Sequence, residues 1–283
     1  MAIAGIAWSA IFVRWADVPG TVSAFYRVLI AGVVLVTWRA ARGPRERSAG
    51  GSGTSVNRAA WVAVAGGVFF ALDLALWNTA VLKTQAAVAS ILGNNTPIFV
   101  GLMSWLVLRR RPRAAFWIGL ALSLIGCLLI ISANLKPGAA PRGSLTGYLL
   151  ALIASVFFAA YLIVTERVRQ AMDTLTFNAL AITGSVVTLL VIALALGLPL
   201  SGFTARTWLA LAGLGLVSQL MAYYGLVYAL GHLPGTITSV GLLAQIPCTA
   251  ALAWLLLGEP LSPLQIAGGA VVLAGIYVVN RDA

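Results

Sequence analysis

Residues Trp61–Ala80 read WVAVAGGVFFALDLALWNTA, an apolar stretch whose one charged side chain is Asp73. Twenty residues of α-helix rise about 30 Å, which is the thickness of a bilayer's hydrocarbon core. The stretch lacks the strict alternation of a barrel strand, and lipid leaves the backbone no partner outside a helix or a closed barrel. It is therefore expected to be a membrane-spanning helix. Similar runs lie on either side, ten in all, near Met1–Ala16, Thr21–Ala41, Ala59–Ala80, Thr84–Leu108, Ala114–Ala133, Ser144–Val164, Thr174–Leu196, Ala205–Leu230, Gly235–Leu257 and Ser262–Val279. Short Gly/Pro or charged breaks separate them, among them Val18-Pro19-Gly20, Lys136-Pro137-Gly138 and Leu233-Pro234-Gly235.

Composition agrees. The chain has 283 residues, 61% hydrophobic and 9% charged, with a mean hydropathy of +0.99, whereas soluble domains are about 25% charged. A water-soluble globule of this size could not clothe its surface from so few polar groups. The net charge of +11 does not point to nucleic acid, because the arginines punctuate apolar runs instead of forming a basic face. Two cysteines make no disulfide framework and no metal spacing. Met1–Ala16 has no basic leader and ends in Arg14 and Trp15, not at a small-residue cleavage site, so it is expected to be a true span.

The arginines also indicate sidedness. Arg42, Arg45, Arg47 and Arg58 fall between the second and third runs, Arg109, Arg110, Arg111 and Arg113 between the fourth and fifth, and Arg167 and Arg169 between the sixth and seventh. Arg281 lies on the same side, and the opposite connections hold only Lys83, Lys136, Arg142 and Arg206. The positive-inside bias then puts both termini in the cytoplasm of a multi-pass inner-membrane protein. Arg42–Arg58, in which Ser48–Ser55 are nearly all Gly and Ser, is expected to be a flexible linker.

The chain repeats itself. Trp61-Val-Ala-Val-Ala-Gly66 recurs as Trp208-Leu-Ala-Leu-Ala-Gly213, and Trp105-Leu-Val-Leu as Trp254-Leu-Leu-Leu. Pro97 matches Pro247, Gly119 matches Gly268, and Gly126 matches Gly275 at nearly the same offset. The expected fold is thus an all-α polytopic membrane protein of ten transmembrane helices: one five-helix repeat over residues 1–133, a connecting loop over 134–143, and a second repeat over 144–283. Five is odd, so the copies enter the membrane from opposite faces as an inverted repeat, an architecture of alternating-access carriers.

These residues resemble a known group. Gln245-Ile246-Pro247, Trp254-Leu255-Leu256-Leu257-Gly258-Glu259, Gly268 and Gly275 in the second copy, with Asn95-Thr96-Pro97, Gly119 and Gly126 in the first, are similar to the EamA-type carriers of the drug/metabolite transporter superfamily. Within it the chain looks most like the bacterial YddG-type amino-acid exporters. The resemblance covers essentially the whole chain and implies ten helices in two inverted repeats. One position departs from the family pattern, Arg110 standing in the first copy where the second has Glu259.

Candidate site residues are the polar groups inside spans. An ionised Asp at a helix centre costs roughly 2.5–3.5 kcal/mol on insertion scales, so Asp73 must face protein or water. It reads either as a site for a substrate amine or proton, or as an ion-pair partner of Arg14, Arg27 or Lys83, all read as lying toward the outer end. Trp77 and Asn78 lie about one turn from it. Gln219, Tyr223, Tyr224 and Tyr228 follow on the eighth run, the last as an interfacial aromatic. Asn94 and Asn95 precede Pro97, and Gln245 precedes Pro247, so both prolines are expected to free a backbone carbonyl for a ligand, a hinge or a gate. Trp8 and Ser9 in the first run correspond to Ser155, Phe158 and Tyr161 in the sixth. The expected substrate-binding set is Trp8, Asp73, Trp77, Asn78, Asn94, Asn95, Tyr161, Gln219, Tyr223, Tyr224 and Gln245.

No His pair, carboxylate cluster, nucleophile elbow or phosphate loop supports an enzyme, and no filter segment or charge ring supports a channel. The expectation is a secondary transporter that exports small metabolites, foremost amino acids including aromatic ones, with a drug or toxic-compound efflux carrier as the alternative and a channel behind it. The expected partners are a small-molecule substrate and the lipid bilayer, with no nucleic acid, cofactor or metal, and the chain is read as a monomer.

Overall fold

The structure, a computed structural model, describes residues 2–41, 53–83, 92–132, 144–257 and 262–281. Among these residues every apolar run contains helix and no strand forms. The first run is broken at Trp8 into α1 (Ala2–Ala7) and α2 (Ser9–Ala16). There follow α3 (Gly20–Ala41), α4 (Gly53–Lys83), α5 (Thr96–Leu106), α6 (Ala114–Ser132), α7 (Leu145–Arg169) and α8 (Thr174–Ala195). The eighth run is composite: α9 (Ala205–Gly213), a π-helical segment (Leu214–Tyr223) and α10 (Tyr224–Leu230). The ninth is α11 (Gly235–Gly241), a 3-10 turn (Leu242–Ala244) and α12 (Gln245–Leu257), and α13 (Pro263–Arg281) is the tenth. Seven helices are long and apolar enough to cross a membrane.

Two boundaries differ from expectation. Residues 53–58, read as linker, begin α4, and α7 continues past Val164 to Arg169, which carries Glu166 and Arg167 into the helix. The rest of the expected linker, residues 84–91 of the fourth run, the junction Asn134–Gly143 with Lys136 and Arg142, and Glu259 lie outside the described residues, as does the side chain of Arg14.

Local chemistry sets several helix starts. Ser144 accepts the Gly147 N–H, Asp173 accepts those of Leu175 and Thr176, and Thr204 accepts that of Thr207, which satisfies donors that a first helical turn leaves open. α2 stops on Asp17 in the left-handed region at φ 49°, a conformation an Asp tolerates better than most residues.

α4 is central. It packs against α7 and α8, while α3 lies against α8 and the π-helical segment, α1 against that segment, α2 against α9, and α13 along α6. One apolar core joins Phe25, Phe70, Leu74, Tyr161, Phe177 and Tyr223, and another joins Phe116, Leu120, Ile130, Val240, Val272 and Val279. Glycines allow helices to approach closely. A Cβ on Gly119 would stand 2.5 Å from the Gly275 carbonyl oxygen, and one on Gly126 would stand 2.6 Å from that of Gly268. Large apolar side chains such as Leu209, Val191 and Ile118 point outward, the inside-and-outside apolarity that lipid as solvent requires.

Candidate substrate site

Arg27 organises the polar interior. It lies on α3, 1% exposed, with Nε donating to Gln219 Oε1 at 2.9 Å and one terminal nitrogen donating to Ser9 Oγ at 2.7 Å. Its guanidinium carbon sits 5.0 Å from the centroid of the Tyr223 ring, within cation–π range. Ser9 comes from α2, and Gln219 and Tyr223 come from the π-helical segment. π-helical turns are rare and concentrate at functional sites, and here the segment presents both residues to one cation.

Asp73, 7% exposed on α4, interacts electrostatically with Arg27. The two do not close to an ion pair, since among the described residues the recorded salt bridge is Arg110–Glu166. Lys83 is exposed ten residues further along α4, about 15 Å away by helical rise. Tyr161 and Tyr223 bring aromatic rings to this cluster. The Tyr161 ring stacks on Phe70 at 4.7 Å and lies 6.1 Å from Phe158, while Tyr223 is 4.9 Å from Phe70.

The remaining expected residues lie elsewhere in the bundle. Asn78 is fully buried, yet its Nδ2 donates to Ser23 Oγ at 2.9 Å and to the Gly20 carbonyl at 3.2 Å, tying α4 to the start of α3. Trp77 packs against Gly93, where a Cβ would stand 3.2 Å from its indole nitrogen, and Trp8 stacks on Phe12 at 5.8 Å. Asn94 Oδ1 accepts from Gln245 Nε2 at 3.1 Å, and Asn95 donates to the Leu92 carbonyl at 3.1 Å. Tyr224 turns away from Tyr223: with Val34, Thr37, Trp38, Leu220 and Met221 it lines an open groove of about 690 Å³ on the flank of the bundle.

Pro97 corrects the expectation of a mid-helix defect, whereas Pro247 lies within a helical run that continues from Gly235 to Leu257 through a 3-10 turn. Pro97 occupies the first turn of α5, after turns at Asn94 and Asn95, and Pro247 the first turn of α12, after the 3-10 turn. Pro97 there loses no hydrogen bond, because first-turn N–H groups have no helical partner. The interruption sits just before each proline.

Sequence reasoning missed two residues. Arg27 was expected toward the outer end, but a long side chain reaches well away from its own Cα. The available signal was a charge eight residues into a 22-residue apolar helix, the same signal that flagged Asp73. The other is Glu166, which falls past Val164 in the expected connection beside Arg167. It is 6% exposed, accepting from Arg110 at 3.2 Å and from the Gly235 N–H at 2.9 Å.

With this geometry in hand, the comparisons with known proteins are specific. The profile of one family, the EamA-like transporter family, matches residues 1–132 and 145–281. The chain belongs to the EamA-like transporter family. It is a polytopic membrane transporter. Among EamA-like relatives, it is 32% identical over 216 residues to the pseudopaline exporter CntI of Pseudomonas aeruginosa, covering 76% of this chain and 73% of that protein. It is 29% identical over 208 residues to the uncharacterized transporter YwfM of Bacillus subtilis, covering 72% and 68%. A crystal structure aligns over 100% of this chain and 94% of its own with a TM-score of 0.78 at 20% identity, a likeness of fold.

Proposed function

We propose that this EamA-like protein is a secondary transporter that exports small metabolites, foremost amino acids including aromatic ones, across the cytoplasmic membrane by alternating access. One observation carries the reading: Asp73, Gln219, Tyr223 and Ser9 gather around Arg27 inside an otherwise apolar bundle, beside the Tyr161 and Phe70 rings. Polar and ionisable groups are expensive at membrane depth and are retained where they serve substrate or ions. A zwitterion with an aromatic side chain uses each kind of group present, namely cation, carboxylate, amide and ring.

The proposed architecture is ten helices in two inverted copies, residues 1–133 and 144–283. Its support is reciprocal contact between matched positions. Gly119 and Gly126 correspond in sequence to Gly268 and Gly275 but approach them crosswise, as a two-fold axis between α6 and α13 requires. Asn94 and Gln245, each just before the proline of its own copy, bond to one another. Paired interruptions of this kind at a repeat interface are where carriers hold substrate and hinge. The arginine bias supports cytoplasmic termini in an inner membrane.

A drug-efflux reading has one observation in its favour, the apolar flank groove of Val34, Trp38, Leu220, Met221 and Tyr224. Counterflow in proteoliposomes separates the two. Vesicles loaded with unlabelled phenylalanine, methionine or leucine should accumulate the labelled amino acid saturably. Exchange of lipophilic cations with no exchange of any amino acid would overturn the proposal in favour of efflux.

A further inference from the structure

Arg27 has hydrogen-bonding capacity that the protein leaves unused. A guanidinium carries five N–H donors in a fixed plane, of which Nε–H goes to Gln219 and one terminal nitrogen goes to Ser9. The other terminal nitrogen is buried from solvent and meets no acceptor at hydrogen-bonding geometry, with the Tyr223 hydroxyl as its polar neighbour on the same guanidinium. Both acceptors are neutral, and the nearby carboxylate, Asp73, does not close to an ion pair. A buried cation without an anionic contact is costly, and a buried donor without an acceptor adds to that cost.

The surroundings hold the guanidinium in one plane. Gln219 holds the Nε–H and Ser9 one terminal nitrogen, from the π-helical segment and from α2, so the free terminal nitrogen lies between two anchored donors and the Tyr223 ring lies over the cation. What is left is a pre-oriented donor on a fixed cation, and the ligand group that matches it in charge and planarity is a carboxylate. We infer that Arg27 is the carboxylate-binding point of the central site, engaging the substrate through the terminal nitrogen that Gln219 and Ser9 leave free. Asp73, on the neighbouring helix and unbridged to Arg27, is then positioned for the ammonium group of the same molecule. The substrate class is α-amino acids and related metabolites that carry a free carboxylate. This deepens the carrier reading above and rests on it.

The test compares amino acids with their carboxamides, using phenylalanine, methionine and leucine at a pH where both amines are protonated. Binding is read as the ligand-induced shift in melting temperature of the detergent-purified protein, and transport as competition in counterflow. Wild-type protein should bind each acid at least tenfold more tightly than its amide. In Arg27→Gln that ratio should collapse to within about twofold, while Arg27→Lys, which keeps the charge without the planar fork, should retain part of it. The wild-type comparison needs no variant to fold. Equal affinity for acid and amide, or no binding of any acid, overturns the inference. Acid-selective binding without exchange overturns the carrier reading and leaves the carboxylate site standing. Exchange without acid preference does the reverse.

Discussion

Arg110 and Glu166 meet at 3.2 Å, but the two sides of the contact are unlike: the arginine side chain is 68% exposed and the glutamate 8%. The second oxygen of Glu166 accepts the backbone N–H of Gly235 at 2.9 Å. One carboxylate therefore links the loop before α6, the end of α7 and the start of α11. By the arginine bias this is the cytoplasmic end of the bundle.

That asymmetry predicts unequal mutational costs. Arg110→Ala removes an exposed, screened ion pair worth about 0.2–1 kcal/mol. Glu166→Ala leaves the buried Gly235 N–H without an acceptor, a loss of about 1–3 kcal/mol. Thermal unfolding in detergent should rank Glu166→Ala clearly below Arg110→Ala, and equal losses would mean that the ion pair, not the backbone acceptor, matters at this end.

The glycine contacts predict a similar contrast. In Gly126→Ala the new methyl would stand 2.6 Å from the Gly268 oxygen and 2.7 Å from the Val272 nitrogen. These are backbone atoms that cannot step aside, so α6 and α13 must separate, and overpacking costs about 1–3 kcal/mol. In Gly241→Ala the methyl meets nothing within 4 Å, and its melting temperature should match wild type. A neutral Gly126→Ala would show that the helix pair has slack.

Much of this was legible in the sequence for physical reasons. Lipid leaves the backbone no option but helix, so apolar length alone located α3, α6, α8 and α13 to within a few residues, and the repeated glycines anticipated the close contact of α6 with α13. Lateral direction was not legible. Whether Arg27 turns inward depends on how α2 and the π-helical segment wrap α3, which no local pattern encodes. Tyr223 and Tyr224 are adjacent letters and so point about 100° apart on a helix, one toward Arg27 and the other toward the flank groove, and the sequence does not say which of the two turns inward. Glu166 was missed because a glutamate beside arginines reads as solvated until the neighbouring helix covers it.

Sidedness has its own test. In a background with Cys127 and Cys248 replaced, a cysteine at Gln170, exposed between α7 and α8, should be shielded from a membrane-impermeant thiol reagent in intact cells. One at Ser201, exposed between α8 and α9, should label. The opposite pattern would invert the orientation drawn from the arginines.

Asp73 and Arg27 together predict a change of substrate charge. The paired groups suit a zwitterion, because an arriving ammonium meets the Asp73 carboxylate while the substrate carboxylate meets the guanidinium. Asp73→Asn keeps the shape of the side chain and removes its negative charge, leaving the site with the cation alone. Discrimination between phenylalanine and 3-phenylpropionate, which lacks the amine, should then shift at least tenfold toward the anion. Arg27→Gln should shift preference the other way, toward phenethylamine, which lacks the carboxylate. Competition in counterflow measures both ratios, and melting temperature separates a change of preference from a loss of fold. If Asp73→Asn lowered exchange of all three compounds equally along with the melting temperature, Asp73 would be a structural counter-charge to Arg27 and not a contact for substrate.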